Sequence, residues 1–333
     1  MRGISLIMPV YHSGNRPEEI DHLHEALSSV LALTLSPDMI PFELIIIDDA
    51  SKNPRTQDVI KEYASRHPWI KIISNETNHG PSYARNRALE IAQYDHIAGV
   101  DADDILTNNA AKFYRDAIDK LYNDSFMAYI NPTIKQFGTI NCLSMIPHHI
   151  KDKEVALIGY APACAVYRTD DVKDVGGWRV DAPKAEDWKL AVDVLASRWR
   201  KGLSNHIITL PHISYLYRQY DDGKNVNARI IDKHSMRTFL IDGNEDFYKD
   251  RFGTDSPDVI TSMISTKLKR LKHGGVLRAV FASLMDNPRG TISAVLGRSQ
   301  SMKRIFNAVG LQNPFLSIQS HPQPKPQKRF ELG

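Results

Sequence analysis

Residues 42–47 read Phe-Glu-Leu-Ile-Ile-Ile, a nearly unbroken apolar run that ends in Asp48 and Asp49. A strand with one wet face alternates apolar and polar residues. A run that does not alternate must be covered on both faces, as a central strand of a parallel sheet is. Ile4–Val10 reads the same way. Helical spacing lies between and after these runs: over Pro17–Leu33 it brings Ile20, Leu23, Leu27, Val30 and Leu31 to one face, and Thr56–Arg66 and Ser82–Ala92 follow it. Further strands are expected at Trp69–Ile73 and His96–Val100. This alternation predicts an α/β fold, a mostly parallel sheet flanked by helices. Ligands of such sheets bind beyond the carboxyl ends of the strands. The polar clusters fall there: Tyr11-His12, Asp48-Asp49 and Asp101–Asp104.

The middle of the chain, Phe126–Tyr167, has few charges and reads as mixed strands and loops, with His148, His149 and Pro162 in irregular segments. Glu186–Trp199 looks helical and Ile207–Tyr220 looks like a last strand. After Asn225 the pattern is helical to about Met285, with no glycine-rich linker before it. Residues 313–333 carry four prolines and little periodicity, which predicts disorder. The expected organisation is residues 1–225 as the sheet domain, 226–312 as a basic helical extension, and 313–333 as a loose tail.

Charge is unevenly spread. Twelve Lys and Arg stand against Asp286 and Glu331 between Thr261 and Gly333, so this part carries about +10 while the whole chain carries +3. Cys142 and Cys164 are the two cysteines and no CxxC occurs, which argues against a disulfide scaffold or a zinc site. The chain starts directly with a strand-like run and has no apolar stretch of transmembrane length. The expectation is a cytoplasmic protein that could sit at the inner face of a membrane.

Several constellations carry chemistry. A flat ring at Tyr11, after Met8-Pro9-Val10, could stack on a nucleobase or simply end the strand. Asp49 could accept a hydrogen bond from a base N–H or a ribose hydroxyl, or belong to an Asx turn or helix cap. No GxGxxG follows the early strands, so dinucleotide binding of the Rossmann type is not supported. Asn78-His-Gly-Pro-Ser-Tyr-Ala-Arg-Asn-Arg87 gives a turn and then a helix carrying Arg85, suited to a base carbonyl or phosphate, and Arg87, read as a solvated residue.

Asp101-Ala-Asp-Asp104 is the sharpest signal. Alternate residues of an extended chain face one side, so Asp101 and Asp103 can meet one ligand, and a divalent cation would offset their repulsion. Asp104 is expected to be a cap. An EF-hand is excluded because the required Gly and late Glu are missing. Val175-Gly-Gly-Trp-Arg179 leads to Ala185-Glu-Asp-Trp188. There Glu186 and Asp187 either cap a helix or supply a general base whose pKa a neighbouring acid raises.

Taken in order, these motifs resemble the family 2 glycosyltransferases of the GT-A fold over about Ser5 to Tyr220. The resemblance implies metal-dependent, inverting transfer of a sugar from a nucleoside diphosphate donor, a UDP-sugar foremost. It implies that Pro9, Tyr11, Asp49 and Arg85 hold the nucleoside and that Asp101 meets the ribose or metal. It implies that Asp103 ligates Mn2+ or Mg2+ and that Asp187, beside Glu186, is the base. Trp188 and Arg218 would face diphosphate or acceptor. Tyr217-Arg-Gln-Tyr220 departs from the family's Tyr-Arg-x-His by placing Tyr220 where the His stands; His212 is a conceivable substitute. Lys224 and Asn225 could close over the donor.

The acceptor is expected to be a hydroxyl of a glycan or lipid-linked glycan. The basic stretch Met263–Met285 could lie on an anionic membrane, grip nucleic acid in an enzyme that modifies DNA bases, or merely pack on the acidic body. A nucleotide-sugar-binding protein without catalysis is the alternative of another class. A nucleotidyltransferase would need a Gly-rich, Arg- and Lys-bearing loop after the first strand, and none is present.

Overall fold

In a computed structural model of the chain, the apolar runs form the middle of one sheet. The structure describes residues 1–139, 141–144, 146–182, 185–220 and 233–270, all within one compact unit, Met1–Leu277. The loop bearing Lys224 and Asn225, most of the basic stretch Met263–Met285 and the proline-rich tail lie outside the described residues.

The strands are β1 (Ile4–Val10), β2 (Phe42–Asp48), β3 (Ile70–Ser74), β4 (His96–Gly99), β5 (Ile105–Leu106), β6 (Met127–Gly138), β7 (Cys142–Leu143), β8 (His149–Ile150), β9 (Val166–Arg168) and β10 (His206–Gln219). They run in the order β3-β2-β1-β4-β9-β6-β10-β5, with β7 on β6 and β8 on β10. Pairs β1/β2, β1/β4, β2/β3 and β6/β10 are parallel. Strand β9 runs antiparallel between β4 and β6. The carboxyl ends of β1, β2, β4 and β10 therefore share one edge.

The lack of alternation in the early strands has the expected cause. Leu6, Met8, Leu44 and Ile46 enter the core on one face, and Ile7, Ile45 and Ile47 enter the core on the other. Helices α1 (Glu19–Leu31), α2 (Pro54–Arg66) and α4 (Ala110–Asn123) cover the first face through Leu23, Leu27, Val59, Ile60, Phe113 and Tyr114. Helices α3 (Pro81–Ile91), α5 (Asp152–Ile158), α6 (Thr169–Asp174) and α7 (Glu186–Arg200) cover the second through Ala84, Ala88, Val155, Val172, Leu190 and Leu195. Each of the buried Val, Leu, Ile and Phe side chains among these contributes about 1.5–3 kcal/mol by leaving water. Helices α8 (Lys233–Ile241), α9 (Glu245–Phe252) and α10 (Pro257–Arg270) follow; Leu240, Phe247 and Ile260 join the same core as α7.

Pro9 lies inside β1 rather than at its end, opposite Ile47. The site tolerates it because the side of β1 that Ile7 presents pairs only as far as Val100, whose N–H reaches the Ile7 carbonyl at 2.8 Å. Beyond that point Pro9 has no ladder partner to lose. The middle segment is more ordered than its composition suggested: β6 is a 12-residue strand, His149 lies in β8, and α5 is a helix.

Candidate functional site

Glu186 and Asp187 open α7, where the helix N-terminus favours carboxylates. The residue before them, Ala185, is left-handed at φ 59°. Asp101, Asp103 and Asp104 follow β4. Arg85 of α3 ties the two acidic groups together. It is 4% exposed; Nη2 donates to Asp101 Oδ1 at 3.1 Å and Nη1 donates to Glu186 Oε1 at 3.2 Å. Asp187 Oδ1 stands 3.8 Å from the same Nη1. Burial opposes the Arg85 charge, but Asp187, Asp101 and Glu186 outweigh it and hold its pKa above the ordinary value.

One guanidinium cannot neutralise three carboxylates. Burial, with Arg85 opposing and Glu186 and Asp101 adding, lifts Asp187 to about 7. Burial, opposed by Arg85 and reinforced by Asp103, also raises Asp101. Asp187 is oriented from the other side by Trp178, whose Nε1–H donates to its Oδ1 at 3.0 Å. Trp178 is itself locked onto α3: Asn86 Nδ2 donates to its carbonyl at 2.7 Å, and its N–H donates to Asn86 Oδ1 at 2.8 Å. Gly177 makes this possible, since a Cβ there would lie 2.2 Å from Asn86 Oδ1.

Asp104 is not a helix cap. Its buried Oδ1 accepts the Arg218 N–H at 2.7 Å, which clamps β10 to the loop after β4. Burial, then Asp103 and Asp101, push its pKa well up. Asp101 gains a second tie, its N–H donating to the Tyr215 hydroxyl at 3.0 Å. Tyr220 donates its hydroxyl to Asp103 Oδ2 at 2.8 Å, and His22 Nδ1 stands 3.3 Å from the Tyr220 hydroxyl oxygen.

On the β2 side, Asp49 is 2% exposed and both its oxygens are engaged. Asn75 Nδ2 donates at 2.7 Å, the His79 N–H at 3.1 Å and the Gly80 N–H at 2.7 Å. The carboxylate expected to meet a nucleoside is thus used to shape the loop over residues 75–80. Gly80, at φ 88°, caps α3. Arg87 is not a solvated residue but donates to Asn75 Oδ1 at 2.8 Å, bracing the same loop. Asp48 closes an Asx-type turn through the Ser51 N–H, across Ala50 at φ 60°. Tyr11, directly after β1, is 43% exposed, and Pro9 lies within β1.

Three expected residues have other partners. His212 pairs with Asp116 of α4 at 3.1 Å, which accounts for it without the site. Trp188 donates from Nε1 to the Val155 carbonyl at 2.6 Å and carries the Arg237 guanidinium 4.6 Å above its ring. Arg218 donates from Nε to the Asp103 carbonyl at 2.7 Å, pairs with Glu25 and lies over Phe137. Its charge is spent holding the end of β10. Asn86, Trp178 and Tyr215 are the residues that sequence reasoning did not assign. The first two stood in quoted motifs, but their partners are about 90 residues apart in the chain and carry no spacing signal.

Among the described residues no group of three or more His, Cys, Asp or Glu is arranged to hold a metal ion. The oxygen donors of Asp101 and Asp103 nevertheless suit a hard cation. Mg2+ characteristically uses one or two carboxylates and completes its shell with water and substrate phosphates. Asp103 and Glu186 add to the burial that raises Asp101, and a cation would offset the repulsion of these carboxylates.

The poly-β-1,6-N-acetyl-D-glucosamine synthase of Staphylococcus epidermidis is 27% identical over 203 residues, 57% of this chain and 46% of the relative. This chain spans between about a sixth and just under half of the length of such curated relatives. Among solved structures, residues 1–349 of S. aureus TarS in complex with UDP-GlcNAc superimpose with TM-score 0.59 at 19% identity, covering 82% of this chain and 73% of that one. The mannosyltransferase PcManGT of Pyrobaculum calidifontis, in complex with GDP-Man and Mn2+, gives TM-score 0.51 at 15% identity over 89% and 87%. Such likeness shows the fold, the GT-A arrangement with its curled, mostly parallel sheet. Residues 5–175, half of the chain, match the family described as Glycosyl transferase family 2. The chain belongs to that family and has the GT-A fold.

Proposed function

We propose that this chain moves a sugar from a nucleoside diphosphate donor, a UDP-sugar foremost, to a hydroxyl of a glycan or lipid-linked glycan, inverting the anomeric centre. One observation carries this reading: Arg85 joins Asp101, on the strand edge where such sheets bind ligands, to Glu186 and Asp187 at the start of α7. That linkage sets a donor-side carboxylate and a candidate base in one rigid unit. The UDP-GlcNAc complex of TarS supports the donor class and the Mn2+ of the mannosyltransferase supports a divalent cation.

In this reading Asp187 takes the proton from the acceptor hydroxyl as its oxygen attacks the anomeric carbon. The sugar–phosphate bond breaks on the opposite face. A pKa of about 7 suits a general base near neutral pH. Trp178 fixes the Oδ1 of Asp187 so that the other oxygen can face the acceptor. Asp101 and Asp103 would hold Mn2+ or Mg2+, which when bound offsets charge on the leaving diphosphate. The loop braced by Asp49 and Arg87, with the exposed Tyr11 ring, forms the nucleoside edge; Pro9 stiffens the strand beneath it.

The test is thermal stabilisation by UDP, GDP, CMP and dTDP, each with and without Mn2+, for wild type, Asp103→Ala and Asp187→Asn. Metal-dependent stabilisation by one nucleotide, lost in Asp103→Ala and kept in Asp187→Asn, supports the assignment. A folded wild type that no nucleotide stabilises would sink it.

A further inference from the structure

The loop between β1 and α1 holds a cation that the site has not used. Glu19, buried at the start of α1, fixes this loop: Oε1 accepts the Ser13 N–H at 3.1 Å and the Ser13 hydroxyl at 3.0 Å, and Oε2 accepts the Gly14 N–H at 3.1 Å. The Asn15 N–H donates to Ser13 Oγ at 3.2 Å. The backbone is therefore set up to Arg16. The Arg16 guanidinium lies over the Tyr220 ring, 5.0 Å from its centroid, and the hydroxyl of that ring rests on Asp103. One aromatic ring separates Arg16 from Asp103.

The other cationic or imidazole groups around Asp103 are committed. Arg85 is divided among three carboxylates. Arg218 serves Glu25 and the Asp103 carbonyl. Burial, and for His22 also Arg218, disfavours the charged form of His12 and His22. The Arg16 guanidinium alone of this set makes no hydrogen bond or ion pair among the described residues. A diphosphate arriving beside two or three aspartates needs a cation that is not already neutralised, and a planar guanidinium can grip phosphate oxygens in pairs.

We propose that Arg16 is a binding residue for the diphosphate of the donor, with Tyr220 as the platform that holds its guanidinium in plane. This rests on the nucleoside-diphosphate reading above. Stacking on the ring limits the rotamer entropy lost on binding, and Tyr220 is thereby useful at a position where the family pattern has a His.

The experiment is calorimetric titration of the full chain with UDP, GDP and UMP in Mn2+ buffer at fixed salt, for wild type, Arg16→Gln and Arg16→Lys. A lost charge-assisted phosphate contact is expected to weaken UDP or GDP about tenfold to a hundredfold, and UMP clearly less. Arg16→Lys should recover part of the loss, since it keeps the charge but not the fork. Unchanged diphosphate affinity in Arg16→Gln, or equal losses on diphosphate and UMP, overturns the role of Arg16 while leaving the donor reading intact. A wild type that binds neither UDP nor GDP overturns both.

Discussion

Replacing Asp187 by Asn should remove turnover and stabilise the fold in the same step. Asp187 shares one buried guanidinium with Asp101 and Glu186, and its carboxyl is lifted from 3.8 to about 7. At about 1.36 kcal/mol per unit, a lift of about three units corresponds to about 4 kcal/mol. Its side chain is 24% exposed, and solvent screening brings the expected figure to about 2 kcal/mol. The sign follows from proton counting. The unfolded chain releases this proton near pH 4 and the fold keeps it to about pH 7, so across that window the folded state binds one more proton. Stability conferred by the protonated group is lost as pH rises to about 7 and is then level. Asn cannot ionise, yet its Oδ1 can still accept the Trp178 Nε1–H. The variant's advantage should be small at pH 5 and full at pH 8. Urea titrations in EDTA at both values measure it; for a domain of this size about 2 kcal/mol is also a rise of about 4–8 °C in Tm. Wild-type turnover should climb with pH to a plateau above about 7, and Asp187→Asn should lose about 100-fold to 10,000-fold. A variant less stable than wild type at pH 8, or an advantage equal at the two pH values, would refute the argument that burial, with Glu186 and Asp101 beside it, lifts this carboxyl.

Three further predictions probe the supports of the site. Gly177→Ala should cost about 3 kcal/mol, because its Cβ would displace Asn86 from Trp178 and φ is +78°; Gly176→Ala, at φ +79° with open space, should cost only about 1 kcal/mol, and urea midpoints compare the two. Ala185→Gly relieves a left-handed alanine and should gain about 1 kcal/mol by the same measurement. Asp49→Ala leaves the Asn75, His79 and Gly80 donors unpaired and should destabilise by about 3 kcal/mol; hydrogen exchange should show lost protection over residues 75–80.

The parts of the fold readable from the sequence are those set by local pattern. Ile4–Val10 and Phe42–Asp48 are apolar because both faces of the sheet are covered, and that shows in the run itself. Helix α5 and the long β6 were less legible, since their pattern depends on β8, β9 and α7 packing around them. The acidic clusters beyond β2 and β4 could be placed as well, because they directly follow apolar strand runs in the sequence. Their partners could not. Nothing in the spacing says that Arg85 serves carboxylates on two separate elements, that Asp104 holds the Arg218 backbone, or that His212 belongs to Asp116. Charge near charge invites a ligand reading from sequence, whereas the fold decides which charges have already been matched.

The strain and the repulsion lie in the same places, and this bears on what the site is built to do. Of three non-glycine residues with positive φ among the described residues, Ala50 follows Asp48-Asp49 directly and Ala185 precedes Glu186-Asp187 directly. Each such residue costs about 1–3 kcal/mol. A helix needs no left-handed alanine to begin, and a strand needs none to end. What the kinks achieve is direction: at Ala50 the chain turns so that Asp49 faces the 75–80 loop, and at Ala185 it turns so that two adjacent acids face Arg85. Carboxylates that served only as caps would gain nothing from being crowded round a single buried arginine. On the function proposed above, crowding keeps charge ready for something that arrives, a proton from a hydroxyl at Asp187 or a cation at Asp103. The stability gain expected of Asp187→Asn is the measurable counterpart of that readiness.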